Sequence, residues 1–293
     1  MGATVGEASK LFRMRALRAI VLAGLVTGWL GAARAADPPA SPATLDSGFR
    51  FLYDLDFEHA HQAFAAWQQQ HPDNPMGLAG EAAALLFSEF NRLGVLESQF
   101  YQDDKAFDGR RAFTPDAALR DAFNVALDRA ERSAQASLGK DAKNRDALFA
   151  MTMASGLRAD YAALIEKRNL VSLRFTKQAT AWAQQLLAVD PNCYDAHLAT
   201  GVSQYVVGSM SAPVRWLVRL GGVSGDKQAG IRELQVTADR GQYLAPFARI
   251  LLAIAYVRDK DKRRARELLV ALQNDFPQNP LFGREISRLD GQR

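Results

Sequence analysis

Four histidines and one cysteine are the side chains of this 293-residue chain that could most readily support chemistry. His59 and His61 are two positions apart in a helical stretch, so they point to different helix faces and cannot share a metal ion. His71 falls at a predicted helix end, where a cation interacts favourably with the helix dipole. His197 occupies a position that we interpret as packing. The histidines therefore predict no metal site.

Familiar catalytic patterns are missing from the sequence: it has no Cys pair, no H-E-x-x-H, no G-x-S-x-G and no phosphate-binding loop. The charge clusters at 102–105 ("QDDK") and 108–111 ("DGRR") are typical of a solvated insertion. We predict a non-catalytic protein with no catalytic residue and no cofactor. Cys193 is the single cysteine, so no internal disulfide forms and stability must come from packing, although pairing between two chains stays open.

The N-terminus predicts export. A basic stretch at 10–18 precedes an apolar run of 15 residues at 19–33, and "ARA" (33–35) supplies the small residues of a cleavage site. This arrangement is typical of a secretory signal peptide over residues 1–35, and the apolar run is short for a membrane span. A Pro-rich tether, 36–43, follows it. We expect a periplasmic protein.

The whole net charge of +4 belongs to this targeting segment. Residues 1–35 contain five basic residues and one acidic residue, so the remaining chain has 31 of each. A neutral, evenly mixed surface argues against nucleic acid as a partner.

Helical periodicity dominates from Thr44 onward, and the predicted helices come in pairs joined by short polar turns. A 34-residue spacing places small, aromatic, small, large apolar and Pro residues at positions 8, 11, 20, 24 and 32. Counting from Ser41 gives Gly48, Phe51, Ala60, Phe64 and Pro72, and counting from Pro246 gives Ala253, Tyr256, Ala265, Leu269 and Pro277. In these positions the chain resembles the tetratricopeptide-repeat (TPR) superfamily.

The resemblance implies an all-α, right-handed solenoid of helical hairpins over 44–293 and a role in protein–protein interaction or scaffolding. Hairpins are expected to begin near residues 41, 75, 145, 194 and 246, with a capping helix at 279–289. Extra segments fall between the paired helices at 94–114, 167–171 and 209–225. After the first of these, Thr114 is expected to cap a helix that starts at Pro115.

A second signature lies at 215–234, "RWLVRLGGVSGDKQAGIREL", where an apolar pair precedes Gly-x-x-Gly-Asp and Gly-x-x-x-Leu. It is similar to a eukaryotic TPR-like family of the mitochondrial outer membrane that is linked to inclusion-body clearance. Because those proteins face the cytosol and this chain is expected to be exported, the similarity implies the architecture and not the role.

The first helix of each hairpin lines the concave groove of a TPR solenoid, and here those positions are largely apolar. The predicted partner-binding groove consists of Phe87, Phe149, Met153, Leu198, Val202, Tyr205, Phe247, Ile250 and Ile254. An apolar groove of this size does not stay exposed. Either the insertions, chiefly 95–107 and 213–220, fold back and fill it, which we favour, or it accepts an apolar partner such as a helix, an unfolded segment or a lipid chain.

Three functions remain for comparison. The first is a periplasmic adaptor or scaffold that binds an envelope protein. The second is a carrier that encloses a small apolar or anionic ligand in the groove. The third is an enzyme, which would need a polar cluster that the sequence does not show. Trp216 with Arg215 and Arg219 leaves a peripheral membrane contact open, although eight residues are too few to bind a membrane alone.

Overall fold

The computed structural model describes residues 44–96, 113–210, 212–220, 222 and 224–291. These residues are predominantly helical and include no strand, which confirms the predicted all-α class. The expected signal peptide (1–35), the tether (36–43) and most of the first insertion (97–112) lie outside the described residues.

Most of the described helices follow one another with short connections, although the segment 93–116 separates the third from the fourth. A π-helical turn, Tyr161–Ile165, extends the fifth helix, and a 3₁₀ turn, Tyr194–Ala196, precedes the seventh. The α-helices are α1 Leu45–Tyr53, α2 Phe57–Gln70, α3 Met76–Arg92, α4 Ala117–Lys140, α5 Arg145–Asp160, α6 Asn169–Val189, α7 His197–Ser209, α8 Ala212–Leu220, α9 Lys227–Arg240, α10 Ala245–Arg258, α11 Lys262–Asp275 and α12 Pro280–Gly291.

Two reversals near opposite ends of the chain share one backbone conformation. Leu55 between α1 and α2 and Lys260 between α10 and α11 each have a φ of 62°. In each turn the next residue, Asp56 or Asp261, caps the following helix by accepting the backbone N–H three positions later, at 3.2 and 3.1 Å. Such caps contribute about 1 kcal/mol and offset the left-handed residue. An Asp-x-Asp sequence thus produces the same helix reversal twice.

Helix α4 begins later than the sequence predicted. Neither Thr114 nor Pro115 starts it; the helix begins at Ala117, and Asp116 is the N-cap. The Asp116 side chain accepts a first-turn N–H at 2.9 Å, and its own N–H donates to the buried Glu89 carboxylate at 2.8 Å. The prediction failed because Glu89 fixes the chain direction at Asp116, which is a tertiary contact.

Packing is mainly between helices that are adjacent in sequence. A clear exception is α7, which packs extensively on α9 and only slightly on the intervening α8. The α7–α9 contact brings backbones together at glycines. A Cβ at Gly230 would lie 2.3 Å from the Tyr205 nitrogen, and one at Gly208 would lie 2.2 Å from the Lys227 nitrogen. Helix α8 is therefore an insertion outside the α7–α9 pair.

The first helix also contacts the last helices of the chain. The Tyr53 hydroxyl donates to the Tyr243 carbonyl at 2.9 Å, the Asn279 amide donates to the Tyr53 carbonyl at 2.8 Å, and the Arg50 guanidinium donates to the Asp275 carbonyl at 3.2 Å. We call this contact the closing seam: α1 against the α9–α10 turn, the end of α11 and the start of α12. The first described helix is therefore in contact with elements near the other end of the chain.

Candidate functional site

The structure distributes the nine predicted groove residues over three environments. Phe149 and Met153 on α5 are buried in the core, at 1% and 8% exposure. Leu198, Val202 and Tyr205 on α7 are partly buried, away from the cavity described next. The other four line one cavity together: Phe87, Phe247, Ile250 and Ile254. One cavity thus brings together four of the nine predicted residues.

That cavity lies at the closing seam, between α1, α3, α10, α11 and α12, and its volume is about 80 Å³. Its walls are mainly aliphatic and aromatic. The described lining residues are Leu52, Tyr53, Leu55, Phe87, Leu96, Phe247, Ile250, Ala253, Ile254, Val257, Leu269, Asn279, Leu281, Phe282, Glu285 and Leu289.

Helix periodicity explains why α10 supplies the longest wall. Phe247, Ile250, Ile254 and Val257 fall at intervals of three and four, so they form one stripe along α10. The stripe faces α3, where the Phe87 ring meets the Phe247 ring edge-on with centroids 5.4 Å apart. An edge-to-face pair of this kind contributes about 1 kcal/mol beyond its buried area.

Three polar side chains are among the described residues that line the cavity, and each one has a structural partner. The Tyr53 hydroxyl bonds to the Tyr243 carbonyl, as above, and burial raises the pKa of Tyr53 well above its usual range. Asn279 also accepts the Leu281 N–H at 2.9 Å, and Glu285 accepts from Arg288 at 2.5 Å. Because these groups hold the walls together, the cavity suits an uncharged, apolar group better than an ion.

The α9–α10 turn positions the cavity through Asp195. The Asp195 carboxylate, 4% exposed, accepts the backbone N–H groups of Gln242, Tyr243 and Leu244 at 3.0, 3.1 and 2.8 Å. Burial raises the pKa of Asp195, and the three N–H bonds oppose this shift. A Cβ at Gly241 would lie 2.7 Å from the carboxylate. A side chain of the 3₁₀ turn before α7 thus fixes the backbone of the turn that leads into α10.

That turn directs the partly buried Tyr243 ring against the core. It stacks between Phe49 of α1 and Phe149 of α5, with centroid distances of 5.0 and 6.2 Å. Tyr243, Tyr53 and Asn279 were not among the residues predicted from the sequence. No periodic signal marks the first or the last, because both lie in connections between helices.

The structure describes only part of the two insertions that were expected to fill the groove. Val95 is fully buried and Leu96 lines the cavity, but residues 97–112 lie outside the described part of the chain. Trp216 in the second proposed filler, 213–220, is 60% exposed. This aromatic side chain therefore fills no groove, and the Phe49–Tyr243–Phe149 stack occupies the interior instead.

The histidines have local partners. His59 bonds to Asp56 at 2.7 Å, and His197 bonds to Glu233 at 2.5 Å. His61 lies 3.0 Å from a Glu81 oxygen, and the His71 Nδ1 lies 3.0 Å from the Trp67 carbonyl. Across the described residues, no group of three or more His, Cys, Asp or Glu side chains is arranged to hold a metal ion.

A shallow depression of about 340 Å³ between α11 and α12 is larger than the cavity but less suited to binding. Its charged rim is internally paired: Arg263 contacts Glu267 at 2.7 Å, and Arg266 contacts Asp290 at 3.1 Å. We therefore regard the apolar cavity as the candidate site.

Comparison with known proteins adds no name to this site. No protein-family model matches the chain, and no curated protein matches its sequence. None of the helices in the described ranges is both long and apolar enough to cross a membrane.

Proposed function

We propose that the protein is a non-catalytic, exported TPR-like module whose apolar cavity receives a hydrophobic side chain of an envelope protein. Within this proposal the chain is a right-handed array of hairpins that begin near residues 41, 75, 145, 194 and 246, with a cap at 279–289. The repeated Asp-x-Asp reversal at Leu55 and Lys260 supports a repeat architecture, because repeats reuse one local geometry.

The cavity carries the functional part of the proposal. Because an apolar cavity of about 150 Å³ takes up benzene, one of about 80 Å³ suits a smaller group, such as a single aliphatic side chain. A whole helix, about 10 Å across, is too wide. Anchoring one side chain in a desolvated pocket is how small sites provide much of an interface's affinity.

The test compares two identical substitutions at different places. Val257→Phe places a larger side chain in the cavity wall, whereas Val206→Phe places it on α7, where Val206 is 47% exposed and outside the cavity. Wild type and both variants are purified after export under mild cross-linking, and attached proteins are identified by mass spectrometry. We expect one reproducible envelope protein with wild type and Val206→Phe, and its loss with Val257→Phe.

Circular dichroism and thermal unfolding show whether both variants remain folded. If the partner is retained equally by both folded variants, the cavity is not its binding site. N-terminal sequencing of the same wild-type sample tests export, since a mature chain should begin at Ala36.

A carrier of a small apolar ligand is the second candidate, and the apolar walls with their internally bonded polar groups favour it. Native mass spectrometry of the purified protein distinguishes the two. A bound small molecule that Val257→Phe excludes, without any attached protein, would select the carrier. Purified protein that carries neither a small molecule nor an attached protein would mean that the cavity is only a packing defect at the closing seam.

A further inference from the structure

Helices α6 and α8 carry a surface whose charge differs from the rest of the molecule. Neither helix contains an Asp or Glu, although together they contain Arg174, Lys177, Arg215 and Arg219. After the expected processing the chain as a whole is balanced in charge. This local excess of cations is therefore not a consequence of composition.

The two helices are adjacent where these cations lie. A Cβ built on Gly222, two residues after α8, would lie 3.1 Å from Nζ of Lys177. Helix α8 is tied to α7 at its other side, because the Arg215 guanidinium donates to the Gly208 carbonyl at 3.1 Å. The cations of α8 and α6 thus belong to one region.

Large apolar side chains are exposed on the same two helices. Trp216 on α8 is 60% exposed, and Leu170 in the first turn of α6 is 84% exposed. Leu170, Arg174 and Lys177 are spaced by four and three residues, so they share one face of α6. We define Leu170, Arg174, Lys177, Trp216 and Arg219 as the basic–aromatic face.

We propose that the basic–aromatic face docks the protein on an anionic lipid surface. An exposed Trp and Leu enter the headgroup region, while Arg and Lys side chains keep their stems on apolar surface and their charges at lipid phosphates. Each such cation contributes attraction to an anionic bilayer. Helix α8 alone is too short for stable binding, and α6 supplies the additional cations and the second apolar anchor.

This surface is independent of the cavity. None of the described residues that line the cavity belongs to α6 or α8. Membrane docking therefore leaves the cavity available, so a variant of one surface should not affect the other.

The experiment measures co-sedimentation of the chain lacking residues 1–35 with lipid vesicles. This chain keeps the whole compact unit, Pro42–Arg293. Vesicles contain phosphatidylcholine alone or phosphatidylcholine mixed with phosphatidylglycerol. We expect binding to the mixed vesicles only, weakened by salt, with a blue shift of tryptophan emission that Trp216→Phe abolishes.

Charge reversal provides the matched comparison. Lys177→Glu/Arg219→Glu should lower binding to the anionic vesicles by at least about tenfold. Arg129→Glu/Arg132→Glu changes the net charge by the same amount at two exposed residues of α4. This variant should keep nearly all of the binding to the anionic vesicles. For the apolar anchors, Leu170→Ser should weaken binding, whereas Val125→Ser, at a 57% exposed residue of α4, should not.

Several results would overturn the proposal. If the two charge-reversed variants lost vesicle binding equally, the net charge of the protein, and not the basic–aromatic face, would explain the binding. Wild-type binding that is absent, or equal on neutral and anionic vesicles, would exclude recognition of anionic lipid. A co-purified protein could also shield Trp216 from an aqueous quencher in the absence of lipid. That result would assign the basic–aromatic face to a protein partner instead.

Discussion

Two seams hold the described helices together by different means. At the α7–α9 seam, elements close in sequence approach through their backbones: a Cβ at Gly230 would meet the Tyr205 nitrogen at 2.3 Å, and one at Gly225 would meet the Gly208 nitrogen at 2.6 Å. At the closing seam, groups about 200 residues apart meet through side chains, such as the Tyr53 hydroxyl and the Asn279 amide.

The difference shows how a chain can specify local and distant contacts in separate ways. Glycines permit a close approach that any side chain would block, so the α7–α9 seam depends on small size at fixed positions. The closing seam depends on hydrogen bonds and aromatic contacts between residues from distant parts of the chain. The Gly-x-x-Gly-Asp signature accordingly has a structural explanation, since Asp226 caps α9 by accepting the Ala229 N–H at 2.7 Å.

The largest effect is expected where the closing seam is organised, at Asp195. Asp195→Ala leaves three backbone N–H groups without their acceptor and should lower the free energy of unfolding by about 4 kcal/mol. Denaturant unfolding measures the loss. Asp195→Asn retains one carbonyl oxygen and should recover part of the stability; equal losses in the two variants would contradict the role of Asp195 in fixing this turn.

At the α7–α9 seam, Gly230→Ala should cost about 3 kcal/mol, because the new methyl group would meet backbone and not a side chain that could move. Thermal unfolding provides the measurement. If Gly230→Ala were as stable as wild type, the two helices could move apart without cost. The α7–α9 seam would then not depend on glycine, and its contrast with the closing seam would disappear.

Asn279→Ala weakens the closing seam more mildly. It removes the donor to the Tyr53 carbonyl and the acceptor of the Leu281 N–H, at a residue that is 5% exposed. The expected loss is about 2 kcal/mol. Ser287→Ala, at an exposed residue of α12 whose hydroxyl bonds to the Gly283 carbonyl, is the matched control and should change stability by less than about 0.5 kcal/mol.

Cys193 can report whether a seam opens without global unfolding. The thiol is 1% exposed, and burial raises its pKa to about 11, so at pH 8 it should react with a thiol reagent only through opening. Asn279→Ala should accelerate labelling more than its loss of global stability accounts for. Labelling as fast as in the unfolded chain would show that Cys193 is accessible, which would restore intermolecular pairing as an option.

The smallest effect is expected at a glycine that belongs to neither seam. Gly156 lies within α5, and a Cβ there would have no atom within 4 Å. Gly156→Ala should therefore stabilise the protein by about 0.5–1 kcal/mol, because alanine restricts the unfolded chain. Destabilisation of Gly156→Ala in thermal unfolding would contradict this prediction. The space around each glycine would then not explain why the glycines of the α7–α9 seam differ from Gly156.

The helical class was predictable because periodicity and caps are local. The Asp-x-Asp turns also carry their own caps, so their reversals follow from a few adjacent residues. Helix α4 was misplaced by two residues because the buried Glu89 decides where it begins. At the site, α10 could be recognised as an apolar helix, but nothing in its sequence indicated that α1 and α12 would cover it.

Short-range spacing thus determined the helices, their turns and the glycine approach of α7 to α9, since each depends on residues within about thirty positions. Tertiary structure alone decided that Tyr243 stacks between Phe49 and Phe149 and that Phe87 meets Phe247. It also placed Trp216 on the surface and four of the predicted groove residues around one cavity. The physical reason is that a side chain's partners across the closing seam depend on the accumulated packing of every helix between them.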